Sequence, residues 1–271
     1  MERLKKTIAI TGASSGIGKS IAIEAAKRGW NISCIARNIE ALNTLKEYLE
    51  NDYGVKVLTI EGDVSIEDNC KLFINKTINH FSCLDILINN AGLSMRGLFK
   101  ETDLSVIKRL MDVNFWGAVY CTKYALPELI KNKGSVVGVS SIAGFKGLPA
   151  RTGYSASKFA LQGFLESLRN ENLKTGLHVL IACPGYTESN IRKTALDNAG
   201  VAQSETPLDE SKLMSSEKVA RIILKAIDRK RLYSIMTLQG KLAVFINKWF
   251  PKIADKLTYN VIKKEPNSPF S

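Results

Sequence analysis

Histidine is almost missing from the chain: His80 and His178 are the only two in 271 residues, and neither has a second ligand at a metal-binding spacing. No zinc or other metal centre is expected, and both are read as structural. The cysteines (Cys34, Cys70, Cys83, Cys121, Cys183) are odd in number, lie in apolar stretches and form no Cys-x-x-Cys pair, which excludes a disulfide framework and favours buried, reduced thiols. No apolar run approaches the roughly 18 residues of a spanning helix. The opening MERLKK enters a strand-like TIAIT directly, without the apolar stretch of a secretory leader. A cytoplasmic protein is expected, with peripheral membrane contact still allowed. Acids are also short: 26 Asp and Glu stand against 38 Lys and Arg, giving a net charge of +12. That balance bears on anionic partners and solubility rather than on fold.

What remains is ordinary for a folded soluble protein, with 45% hydrophobic and 24% charged residues. Short β-branched runs alternate with longer segments of helical period. Strands are predicted at 7–11, 32–36, 55–61, 84–89, 135–140 and 178–182, and helices at 18–28, 39–51, 66–81, 103–131 and 154–174. The strand cores are nearly continuous apolar runs, as in strands covered on both faces. The pattern predicts an α/β fold, a doubly wound parallel sheet in a three-layer arrangement. Beyond Pro184 the alternation stops. Residues 187–216, rich in Ser, Thr, Asn, Asp and Glu, read as a flap, so the expected organisation is a catalytic domain over 1–228 and a C-terminal helical extension over 229–271.

The first strand runs into Thr11-Gly12-Ala13-Ser14-Ser15-Gly16-Ile17-Gly18 and then a helix, the strand-turn-helix context of a dinucleotide site. Gly12 suits the tight turn, Gly16 lets backbone approach a pyrophosphate, and Gly18 allows helix to pack closely on strand, while the helix N-terminus attracts phosphate. Ser14, Ser15 and Ile17 complete the same loop. Tyr154-Ser155-Ala156-Ser157-Lys158 places a phenol and an ammonium four residues apart on one helix face. A tyrosine near pKa 10 is a poor proton carrier at neutral pH unless a nearby cation stabilises its anion. Ser141 lies 13 residues before Tyr154 at the end of an apolar strand, whereas a second Tyr-x-x-x-Lys, Tyr259 to Lys263, has Ile246 in that place and is read as a decoy.

Together these segments resemble the short-chain dehydrogenase/reductase family over residues 7 to about 228. The resemblance implies a Rossmann-type fold, a catalytic set of Asn114, Ser141, Tyr154 and Lys158, and self-association into a homo-oligomer. It also implies cofactor contacts. Asp63 and Val64 would meet adenine, Asn90, Ala91 and Gly92 would meet its ribose, and Pro184, Gly185 and Thr187 (with Ser189) would meet the nicotinamide side. Lys158 would grip the nicotinamide ribose and acidify Tyr154. Asn89 is read as structural. At the end of the second strand, Ala36-Arg37-Asn38 offers no acid to hold a ribose 2′-hydroxyl, and Arg37 presents a planar fork for a 2′-phosphate, so NADP(H) is expected over NAD(H). Ser15 stands where the family often carries a second basic residue, which makes the preference less lopsided.

The expected reaction is reduction of a ketone or aldehyde. Apolar candidates for the substrate walls (Leu93, Met95, Leu98, Leu148, Pro149, Tyr186) point to a hydrophobic substrate, lipid-like or steroid-like. Local stretches resemble 3-ketosphinganine reductases as well as carbonyl and hydroxysteroid members. A non-catalytic NADP(H)-sensing or membrane-associated binding protein is the alternative. Residues 229–264 hold nine basic residues and one acid. Within them, 241–264 alternate apolar clusters with lysines, which admits two readings: a helix lying in a membrane interface, or one packed on the body with its lysines in water. No nucleic-acid motif accompanies the charge, and no nucleic-acid partner is expected.

Overall fold

The β-branched runs form one parallel sheet in the computed structural model, which describes residues 5–188, 191, 192, 194–203, 213–266 and 268–270. Its strands are β1 (Thr7–Thr11), β2 (Asn31–Ala36), β3 (Val57–Glu61), β4 (Ile86–Asn89), β5 (Ser135–Val139), β6 (His178–Cys183) and β7 (Tyr233–Ile235), in the order 3-2-1-4-5-6-7. Every pairing is parallel. Successive residues of a strand face opposite sides, and both sides are covered. Ile8 and Ile10 join one core with α1 (Gly16–Ala26), α2 (Ile39–Tyr53) and α7 (Ser216–Asp228). Ala9 joins the other with α3 (Glu67–Phe81), α5 (Gly117–Lys131) and α6 (Thr152–Glu171).

Local chemistry sets the element ends. Asn38 caps α2 by accepting from Ala41 N at 2.8 Å, and Gly54, with φ +59°, ends the same helix in the left-handed region. The two histidines serve the scaffold. His178 links Ser135 Oγ (3.0 Å) to the Arg231 carbonyl (2.8 Å) across β5, β6 and the approach to β7, and His80 sits edge-on to Phe81.

The structure departs from the sequence expectation in two places. The helix predicted over 103–131 is α4 (Leu104–Met111) and α5 joined by a π-helical bulge at Asp112–Trp116. The alternation also resumes after the flap: α7 and β7 add a seventh unit, so the sheet continues past residue 228 into the segment read as an extension. Beyond it come α8 (Leu238–Trp249) and α9 (Pro251–Lys263). Among the described residues no helix is long and apolar enough to cross a membrane.

Candidate active site

The strand order reverses between β1 and β4, and the Gly-rich loop lies at their carboxyl ends, where open α/β sheets bind ligands. Gly12 (φ +66°) and Gly16 (φ +52°) take left-handed turns that other residues adopt at a cost. A Cβ at Gly18 would fall 2.3 Å from Gly12 O, so that helix-to-strand contact admits no side chain. Asn90 braces the loop from β4: its Nδ2 donates to Thr11 O (2.9 Å) and Gly12 O (3.1 Å), while Thr11 Oγ1 accepts from the Asn90 and Ala91 amides, each at 3.0 Å. Ser15 occupies the N-cap of α1, yet its side chain caps nothing. Ser14 and Ile17 are half-buried on the same turn, Ile17 packing on the core. A bare helix N-terminus over backbone held open by glycine fits a dinucleotide pyrophosphate.

At the end of β2, Arg37 extends into solvent with its guanidinium 4.0 Å from Asp63 Oδ2. The other Asp63 oxygen accepts from Ser65 N (2.9 Å) and Ser65 Oγ (2.7 Å), which fixes the turn after β3. Val64 is buried against Gly117, where a Cβ would meet it at 2.8 Å. Asn89 is structural, its Nδ2 donating to Thr122 Oγ1 at 2.9 Å.

The four candidate catalytic residues converge. Ser141 follows β5 and caps a short turn, Ile142–Gly144, its Oγ accepting from Ala143 N at 3.2 Å. It also lies close to the phenol of Tyr154, which stands on the first turn of α6. Burial raises the Tyr154 pKa above its ordinary value, while the nearby Ser141 hydroxyl and the charge of Arg151 pull it down. Arg151 is thus a cation acting on the phenol that the sequence reading, centred on Lys158, did not pick out. One turn on, Lys158 is buried, donates to Val139 O at 2.9 Å and places Nζ 5.7 Å from the Tyr154 ring centroid. The π-bulge presents Asn114 inward. Its Oδ1 accepts from Leu93 N (2.7 Å), and its Nδ2 donates to Leu93 O (2.9 Å) and to Ser157 Oγ (2.9 Å). Gly92 lies between them: a Cβ there would be 3.2 Å from Asn114 Oδ1 and 3.5 Å from Lys158 Nζ.

Burial depresses Lys158 from 10.5 to about 8, with Cys183 acting weakly in the opposite sense. The folded chain therefore binds fewer protons than the unfolded one between pH 8 and 10.5, and the stability this residue contributes rises with pH through that window. Holding the charged form at pH 7 costs about 3 kcal/mol. Lys158→Met is accordingly expected to be about 2 kcal/mol more stable than the parent at pH 7, after subtracting about 1 kcal/mol for the lost bond to Val139. The advantage should fade above pH 10.5. Urea denaturation at the two pH values checks it, and a variant less stable at pH 7 contradicts it.

On the nicotinamide side, Pro184 and Gly185 follow β6, and Thr187 Oγ1 donates to Gly185 O at 3.0 Å. Ser189 and part of the predicted flap lie outside the described residues. The flap residue Leu196 packs with Leu93, Met95, Val106 and Leu110 in a small apolar cluster that also holds Tyr154. The decoy Tyr259 lies on α9 against Phe270, 5.0 Å between ring centroids. A groove of about 550 Å³ runs between α9 and the loop 147–149, lined by Leu148 and Pro149 but by none of the four catalytic candidates.

The sequence profile of the family described as short chain dehydrogenase matches residues 6–200, well over half the chain. This chain belongs to the short-chain dehydrogenase/reductase family. It is 38% identical over 253 residues to an 11-beta-hydroxysteroid dehydrogenase-like protein of Arabidopsis thaliana, covering 93% of this chain and 80% of that one. It is 37% identical over 247 residues to 11-beta-hydroxysteroid dehydrogenase A of Arachis hypogaea, covering 90% and 69%. Among solved structures, a short-chain dehydrogenase/reductase of Burkholderia phymatum in complex with NAD superposes with a TM-score of 0.83 at 20% identity, over 93% of this chain and 96% of that one. An alcohol dehydrogenase of Thermococcus sibiricus complexed with 5-hydroxy-NADP gives 0.75 at 23%, over 85% and 94%. These two show that the short-chain dehydrogenase fold is shared. As a member of the family the chain is an oxidoreductase acting on CH-OH or C=O groups, with steroid dehydrogenase-like relatives.

Proposed function

We propose that this short-chain dehydrogenase reduces the carbonyl of a hydrophobic, lipid-like or steroid-like ketone or aldehyde, with NADPH as cofactor. The observation that carries the reading is Tyr154 beside Ser141, with the Nζ of a buried Lys158 5.7 Å from its ring centroid and Gly92 between Lys158 and Asn114. The names of the relatives, 11-beta-hydroxysteroid dehydrogenases, and the apolar cluster around Tyr154 support the substrate class. The lack of an acid after β2 supports NADPH.

Bound NADPH supplies the hydride. The chain does the rest. Gly12, Ser14, Ser15, Gly16, Ile17 and Gly18 hold the pyrophosphate, Asp63, Val64, Asn90, Ala91 and Gly92 the adenosine half, and Pro184, Gly185 and Thr187 the nicotinamide half. Ser141 and Tyr154 bracket the substrate oxygen, so charge developing there meets two donors already in place. Tyr154 gives its proton to that oxygen as general acid. Lys158 spends one donor on Val139 and directs others to the nicotinamide ribose and the phenol. Asn114, tied to Leu93 and Ser157, holds the path by which Tyr154 is reprotonated.

Arg37 tests the cofactor reading. Arg37→Ala removes the fork facing a 2′-phosphate and is expected to raise the NADPH KM about tenfold while leaving NADH nearly unchanged, since charge-assisted bonds contribute about 1.5 kcal/mol or more. Absorbance of the reduced nicotinamide, followed with both cofactors against hydrophobic ketones, reads it. Equal effects on the two would end the NADPH assignment. Tight NADPH binding with no turnover across ketone classes would favour the sensing alternative.

A further inference from the structure

The helical hairpin of α8 and α9 resolves the two sequence readings of the C-terminal segment, because it is both packed and uncovered. Its packing is specific: Asn247 Nδ2 donates to Phe145 O at 2.8 Å, Asp255 pairs with Lys146, and Ala254 and Ile262 are buried. Gly240 sits where a Cβ would meet Ile142 at 2.7 Å, so α8 rests on the turn that Ser141 caps. The face turned away from the body carries large apolar side chains among its polar ones. Leu242, Phe245 and Trp249 on α8 and Ile253, Leu257 and Val261 on α9 are each 49% to 62% exposed. At about 100° per residue, each trio falls within about 80° of helix circumference. Lys241 and Lys248 flank the first stripe, and Lys256 and Lys263 flank the second, about 40° to 80° to one side. The one acid among residues 238–264, Asp255, is taken up by Lys146.

We infer that this hairpin is a docking surface for an anionic lipid bilayer, lying in the interface without crossing it. An apolar stripe with Trp and Phe, rimmed by lysines, matches acyl chains below and headgroup charge above, the lysine stems reaching up past the buried stripe. A second copy of the chain fits the surface poorly, since a twofold contact would gather the lysines of both copies at one seam with no free acid among residues 238–264 to offset them. The loop 145–149 and the Ser141 turn lie directly behind the hairpin, so docking brings them close to the membrane. On the proposed function, that brings a ketone dissolved in the bilayer close to the Ser141 turn.

Flotation of the full chain with vesicles of phosphatidylcholine, alone or containing phosphatidylserine, tests the surface independently of any turnover. The parent chain is expected to float with the anionic vesicles, and the variant carrying Leu242→Ser, Phe245→Ser and Trp249→Ser to bind about tenfold less. A variant with Lys241, Lys248, Lys256 and Lys263 replaced by Gln should lose the preference for anionic vesicles. Unchanged melting temperature and NADPH binding show that the variants are folded. Equal flotation of parent and serine variant overturns the inference, as does no flotation of either, or a lipid-free dimer that the serine changes dissolve. If flotation stands and no ketone is reduced, only the proposed reaction falls. If both stand, vesicles should raise the rate on a long-chain ketone in the parent and not in the serine variant, while a small water-soluble ketone is unaffected.

Discussion

Tyr154→Phe should lower kcat by about a thousandfold or more, within the 10²–10⁴ range of general acid catalysis, and leave NADPH affinity and melting temperature close to the parent's. The ring stays in the apolar cluster with Leu93, Met95 and Leu196, so packing is kept and only the oxygen is lost. That oxygen is the group beside Ser141 that, in the proposed mechanism, carries the transferable proton. Single-turnover measurement of reduced nicotinamide separates chemistry from binding. A variant that still oxidises NADPH at the parent rate in the presence of substrate would falsify the role given to Tyr154. Ser141→Ala should lose less, because Tyr154 remains as the second donor on the substrate oxygen.

The second large effect concerns stability. Glu265 is buried beyond α9, its side chain 4% exposed, and Arg151 NH2 donates to both its oxygens at 3.2 and 3.0 Å. Arg96 Nε lies 3.5 Å from the same carboxylate, and its NH2 donates to Pro266 O at 2.6 Å. One carboxylate thus fastens the segment after α9 to the strand-end segment after Gly92 and to the start of α6. Glu265→Ala leaves two largely buried guanidiniums without their counter-charge, a change that costs about 3–5 kcal/mol in comparable buried pairs. A loss of about 3 kcal/mol corresponds to a fall of about 6–12 °C in melting temperature for a domain of this size. Glu265→Gln keeps an acceptor oxygen and should fall less far. Calorimetry of the two variants decides the matter, and a melting temperature unmoved by Glu265→Ala would show that the clamp contributes nothing. Because Arg151 stands three residues before Tyr154 and lowers its pKa, both variants should also shift the pH profile of kcat.

The features legible in the sequence are those whose cause is local. Six strands showed because burial on both faces demands unbroken apolar runs, and their ends fell within about two residues of the observed ones. The glycine spacing of the first turn showed because only glycine tolerates its φ values and its close contact with Asn90. The π-bulge at Asp112–Trp116 did not show, since one extra residue in a helical turn leaves the apolar period on either side intact. Nor did β7, whose three residues carry too little pattern and owe their strand to β6 beside them.

The sequence by itself determined the α/β alternation and the family, and it named the candidates to hold a dinucleotide and move a proton, because residue type and near-neighbour spacing suffice for those. Tertiary structure alone decided how those groups act on one another. It brought the charge of Arg151 as well as Lys158 beside the phenol, joined Glu265 to partners more than a hundred positions away, and chose which faces of α8 and α9 turn outward. Charge, burial and contact act through space, and the distances that govern them exist only once the chain has folded.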